Sequence, residues 1–204
     1  MLAGDNMTKK FGILLCCGFL SISIHAQNFG GGLILGLSTS QVSGDKLGGF
    51  NKAGILVGAF ANKSISENLS IQMEMTYIQK GSRNPDNTAP HEYDLNYVEI
   101  PFFLKYQTKY QLKIEGGFLT GILINQTERY SDGIKLTNIS KGNFNKFDFG
   151  IGIGIDYSLS EKLILNSRIS NTLFFSPTRE NPVQTFINRG NYNSVLSFAI
   201  NYNL

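Results

Sequence analysis

Eight segments of period-two hydrophobicity, connections that alternate between short and long, and a polar face built from small residues predict the fold class. It is all-β: an eight-stranded antiparallel up-and-down transmembrane β-barrel, preceded by a signal peptide. Composition agrees. Only 16% of the 204 residues are charged, against about 25% in an ordinary soluble domain. Gly (22), Phe (15) and Tyr (9) are abundant, a bias that suits strands and turns. Mean hydropathy is −0.07, because lumen residues cancel lipid-facing ones in any average over a membrane barrel. The net charge of +3, with no extended Lys/Arg run, excludes nucleic acid as a partner.

Residues 1–26 read as the signal peptide, with Met7 as the true start. Met7-Thr8-Lys9-Lys10 is a short basic region, residues 11–24 are uncharged and mostly apolar, and cleavage falls after Ala26. Cys16 and Cys17 both lie inside this segment, so the mature chain has no thiol chemistry. Residues 27–204 then form one barrel domain.

The clearest strand is 69–79. Leu69, Ile71, Met73, Met75 and Tyr77 share one face, and Ser70, Gln72, Glu74 and Thr76 the other. Segments 29–40, 52–62, 95–106, 111–125, 145–157, 162–175 and 192–204 repeat the pattern. Each is near the roughly 9–11 residues that a tilted strand needs to cross a bilayer. Short connections are expected at 63–68, 107–110 and 158–161, and long polar ones at 41–51, 80–94, 126–144 and 176–191. Short periplasmic turns opposite long external loops are the habit of outer-membrane barrels, and both mature ends then face the periplasm.

The polar face is unusually small. Gly150, Gly152 and Gly154 alternate with Phe149, Ile151, Ile153 and Ile155. Small residues suit the cramped lumen of eight strands, so the large apolar face is assigned to lipid. Tyrosines fall at strand ends and predict an aromatic girdle. Tyr106, Tyr110, Tyr157 and Tyr202 mark the short-turn end, and Tyr77, Tyr97 and Tyr192 the long-loop end.

Two stretches carry a family likeness, Tyr97-Val98-Glu99-Ile100-Pro101-Phe102-Phe103-Leu104-Lys105-Tyr106 and Phe147-Asp148-Phe149-Gly150-Ile151-Gly152-Ile153-Gly154-Ile155-Asp156-Tyr157. With the ending from Asn188-Arg189-Gly190 to Tyr202, the chain resembles the PorT-like outer-membrane β-barrel proteins of Bacteroidetes. The resemblance implies an outer-membrane barrel whose namesake is linked to protein secretion. It implies contact with outer-membrane lipid and, during insertion, with the barrel assembly machinery.

No catalytic, cofactor or metal site is expected. His91 is the one histidine after processing, and its neighbours Glu92 and Asp94 do not complete a metal site. No base, orienting group and nucleophile stand together. The lumen charges are more informative. Glu74, Glu99 and Arg168 are expected near mid-barrel, with Arg168 bridging both acids and plugging the bore. Lys105, Lys113 and Glu115 are expected to form a second cluster at the periplasmic end. Pro101 is expected to mark a bulge or bend. The function read from the sequence is a structural or binding barrel acting through its external loops on a ligand or partner. The alternative is an accessory component of an outer-membrane secretion or transport assembly.

Overall fold

From Phe147 to Tyr157 every second side chain is exposed and those between are shielded. A strand sorts residues this way only when its two faces meet different surroundings. The computed structural model describes residues 29–43, 49–84, 91–131, 136–140, 144–180 and 190–204. The signal peptide expected at 1–26 and parts of the long connections lie outside them.

The described strands are β1 (Phe29–Ser43), β2 (Lys52–Ser64), β3 (Leu69–Arg83), β4 (His91–Gln107) and β5 (Leu112–Ser131). They continue with β6 (Leu136–Ser140), β7 (Phe147–Ser158), β8 (Leu163–Thr172), β9 (Arg179–Glu180) and β10 (Gly190–Asn203). Eight of them form a ring in the order β1, β2, β3, β4, β5, β7, β8, β10, and β10 pairs back to β1. All pairings are antiparallel. The short β6 adds to β5 and β9 to β10 at the long-loop end. Closure removes the free edges whose backbone groups lipid would leave unsatisfied.

Three short turns share one device. The N–H groups of Ile65, Thr108 and Leu159 each donate to the carbonyl four residues on, at Leu69, Leu112 and Leu163. Ser160 Oγ also accepts from the Leu163 N–H at 3.1 Å, a local bond that holds serine-rich turns.

At the long-loop end the strands overrun the expected loops. β3 continues to Arg83 and β4 begins at His91, where 80–94 was expected as a loop. β5 runs to Ser131 and pairs with β6 inside the expected 126–144 loop. Above the lipid band the outward residues become polar, so the apolar alternation fades while the ladder persists. Between these extensions Tyr93, Leu95, Ile78 and Phe144 bury one another. The Tyr93 and Phe144 rings meet edge to face at 5.3 Å.

Pro101 makes no bulge. It pairs with Leu119 in register, and the β3–β4 ladder pauses between Met73↔Phe102 and Thr76↔Glu99 without slipping. A missing N–H breaks the ladder locally; the rest of the sheet holds its alignment. The irregularity lies instead at Asn96/Tyr97 in the β4–β5 pairing.

Candidate functional site

Parity along five strands sends one set of charged side chains into the bore. β3 supplies Glu74 and Lys80, β4 Glu99 and Lys105, β5 Glu115, β7 Asp148 and Asp156, and β8 Arg168; all are buried. Arg168 spans the ring. Its Nη1 and Nη2 donate to the two oxygens of Glu74 at 2.9 and 2.7 Å, a forked pairing that fixes direction as well as charge. Its Nε donates to Glu115 Oε1 at 2.7 Å. The guanidinium lies 3.8 Å from the centre of the Phe103 ring.

The contacts continue toward the short-turn end. Lys105 Nζ stands 2.9 Å from Glu115 and 2.7 Å from Asp156. Asn166 Nδ2 donates to Asp156 at 2.6 Å and to Glu115 at 3.0 Å. Gln72 Nε2 donates to Glu74 at 2.8 Å. A second group lies toward the long-loop end. Lys80 pairs with Glu99 and, at 3.2 Å, with Asp148. Asp148 also accepts from Thr172 Oγ1 at 2.7 Å and Asn193 Nδ2 at 2.9 Å. Five carboxylates thus face three cations among the described residues, so the bore is acid-rich and crossed by these contacts.

The polar strand face is small because this network needs the room. A Cβ on Gly154 would sit 2.6 Å from Glu115 Oε1, and one on Gly152 3.0 Å from the Phe103 ring. Glycine there makes space for the Glu115 carboxylate that holds Arg168 and for the Phe103 ring beneath the guanidinium.

The expected bridge is rearranged. Arg168 and Glu74 meet, but Glu99 pairs with Lys80, and Glu115 takes its expected place beside Arg168. Lys105 and Glu115 are not a separate cluster, because Glu115 joins them to Arg168. Lys113 forms no ion pair with them. Lys80, Asp148, Asp156 and Asn193 were not singled out. The signal was present, since each shares strand parity with an inward residue. Lys80 was hidden by its assignment to a loop.

Tyr97 requires correction as a girdle residue. It is 0% exposed and lies in the bore, with Lys80 Nζ 4.9 Å from its ring centre and Asn193 Nδ2 3.4 Å from its hydroxyl. It shares a face with Glu99, two residues on, which outweighs its nearness to a strand end. Tyr106, Tyr110, Tyr157 and Tyr202 are exposed at the short-turn end, and Tyr77 and Tyr192 are partly exposed at the other. The side chain of His91 lies outside the described residues. Beside it, at the long-loop rim, Lys52 pairs with Glu92 (2.7 Å) and Asp94, and Arg129 with Glu92 (3.3 Å) and Asp94. Arg179 reaches Glu128 at 3.5 Å.

A family model described as "Outer membrane protein beta-barrel domain" matches residues 25–174. No curated protein sequence matches the chain. Among solved structures, Ail, the attachment invasion locus protein of Yersinia pestis, aligns with TM-score 0.53 and 8% identity over 87% of this chain and 100% of Ail. Ail in complex with the heparin analogue sucrose octasulfate gives 0.51, with the same identity and coverage. Neisserial surface protein A gives 0.45 at 12% identity over 86% of this chain and 97% of that one. At such identities the likeness to Ail is one of fold.

Proposed function

We propose that this chain, which belongs to the outer membrane protein beta-barrel domain family and resides in the outer membrane, is a closed barrel that carries a binding surface at its long-loop end. One observation supports this above others: the forked contact of Arg168 with Glu74 joins opposite sides of the ring, from β8 to β3. A bore crossed by that contact, with Phe103 against it, has no room for a wide solute path. The acids and bases of the bore are engaged with one another, which favours a structural role over a catalytic one.

The strands that overrun the lipid band point to the long-loop end as the working surface. Ail has been solved with a heparin analogue, so a sulfated sugar is a sensible first probe. The rim cations Lys52, Arg129 and Arg179 are already matched by Glu92, Asp94 and Glu128. That pairing favours a ligand of mixed polarity over a polyanion. The PorT-like resemblance of 97–106 and 147–157 supports a finer placement in that subfamily, and with it the alternative role beside a secretion assembly.

Conductance in planar bilayers tests the closed bore. The expected trace lacks steady wide openings; a wild-type protein that conducts steadily overturns the reading. Capture of the full chain from detergent extracts separates the two roles, because partners that stay bound through purification favour the secretion assembly.

A further inference from the structure

Large side chains cover the outer wall, yet a furrow of about 450 Å³ runs across β7, β8, β10 and β1, lined by Leu35, Phe198, Ile200, Leu165, Ile155 and Tyr157. Its floor holds the small residues Gly36, Ala199 and Ser167. Ser167 points outward between Phe198 of β10 and Ile155 of β7, its partners in the two ladders. On the same face of β8 its neighbours are Leu165 and Ile169. A serine hydroxyl there leaves the space that a leucine would fill.

The short-turn end of the same sector carries cations of a different kind. Lys162 lies over Tyr202, its Nζ 5.9 Å from the ring centre, and Lys63 lies over Phe29 at 5.1 Å. Neither pairs with a carboxylate among the described residues. Lys52, Lys80, Lys105, Arg129, Arg168 and Arg179, in the bore and at the long-loop rim, do, whereas Lys109 and Lys113 share the unpaired state of Lys162 among the described residues. A lysine held against an interfacial aromatic ring keeps its stem in the apolar layer and its charge at the headgroups.

Depth connects the two features. Five residues of strand separate Lys162 from Ser167, roughly 17 Å at the usual rise. A tilt of about 40° brings that to roughly 13 Å of depth. Half the hydrocarbon core is about 15 Å. A lipid whose headgroup rests at Lys162 therefore places its acyl chain in the furrow.

We propose that the furrow is a binding site for one acyl chain of an anionic glycerophospholipid from the periplasmic leaflet, whose phosphate is held by Lys162. Lys63, three strand positions away across β10 and β1, extends the same positive rim. Ser167 provides the space and Lys162 the charge selectivity.

The test uses the full chain reconstituted with phosphatidylethanolamine containing phosphatidylglycerol as the minor lipid, then extracted in mild detergent. The lipid retained on folded protein, judged by heat-modifiable gel mobility, is measured by mass spectrometry. Wild type should retain phosphatidylglycerol out of proportion to its share. Ser167→Phe should lose the retained lipid. Lys162→Gln should keep the furrow but weaken phosphatidylglycerol retention about fivefold, the scale of one basic residue at a membrane surface. Lys63→Gln should have a smaller effect. Equal retention of both lipids by wild type overturns the proposal, as does undiminished phosphatidylglycerol on Lys162→Gln. Should Ser167→Phe fail to fold, Lys162→Gln alone decides.

Discussion

Arg168 in the bore and Arg129 at the long-loop rim each hold two carboxylates; Lys52 shares both of Arg129's acids, and Lys105 shares Glu115 with Arg168. Their surroundings differ. In the bore the Arg168 side chain is 10% exposed and Glu115 0%; at the rim Glu92 is 11% exposed, but Asp94 is 20% and Arg129 36%. Desolvation makes the bore contacts costly to break, because a removed partner leaves a charge that water cannot reach. Such a loss is about 3–5 kcal/mol. The rim contacts compete with water and salt, and pairs of that kind contribute about 1 kcal/mol or less. Similar chemistry therefore fixes the barrel in one place and only tunes it in the other.

Arg168→Leu should produce the largest effect. It leaves Glu74 with no cation, while Glu115 keeps Lys105 and Asn166, and stability measured by urea unfolding in a bilayer should fall by about 3–5 kcal/mol. Adding Glu74→Gln should recover more than half of the loss, since the stranded charge goes with the mutated acid. An Arg168→Leu protein as stable as wild type would mean that the network carries little of the fold.

The ring itself was legible in the sequence, because alternation such as Leu69 to Tyr77 records two environments residue by residue. Strand count, outward face and the meeting of Arg168 with Glu74 follow from that parity and from ring order. Partner choice within the bore does not. The stagger of a closed barrel sets which inward residues share a level, and it placed Lys80 rather than Arg168 beside Glu99. The strand ends were obscured for another reason: past the lipid band, residues such as Arg83 and Arg129 meet water and read as loop. Tyr97 shows the two signals in conflict. Position suggested an interface, parity put the ring inside, and parity prevailed.

That conflict yields the next prediction. Tyr97→Phe removes a hydroxyl facing Asn193 in the bore and should cost about 1 kcal/mol. Tyr106→Phe, at a residue 54% exposed near the short-turn end, should stay within about 0.5 kcal/mol of wild type. Unfolding midpoints of the two variants in one lipid check it. The opposite order would return Tyr97 to the interface.

The rim is tested at Glu92. Partial burial pushes its carboxyl up, but the Lys52 hydrogen bond and the nearby charges of Lys52, Arg129 and Arg83 outweigh burial and hold it below the usual range. A lowered native value means stabilisation that is complete above the ordinary carboxylate pKa of about 4.3 and lost as pH falls through the native one. Glu92→Gln should therefore cost about 1 kcal/mol or less at neutral pH and flatten the acid limb of the stability profile. Salt separates rim from bore. At about 1 M the screening length is near 3 Å, so the Glu92→Gln difference should shrink while the Arg168→Leu difference persists. If both shrink alike, the bore is wetter than its contacts indicate, and the distinction between the two arginines fails.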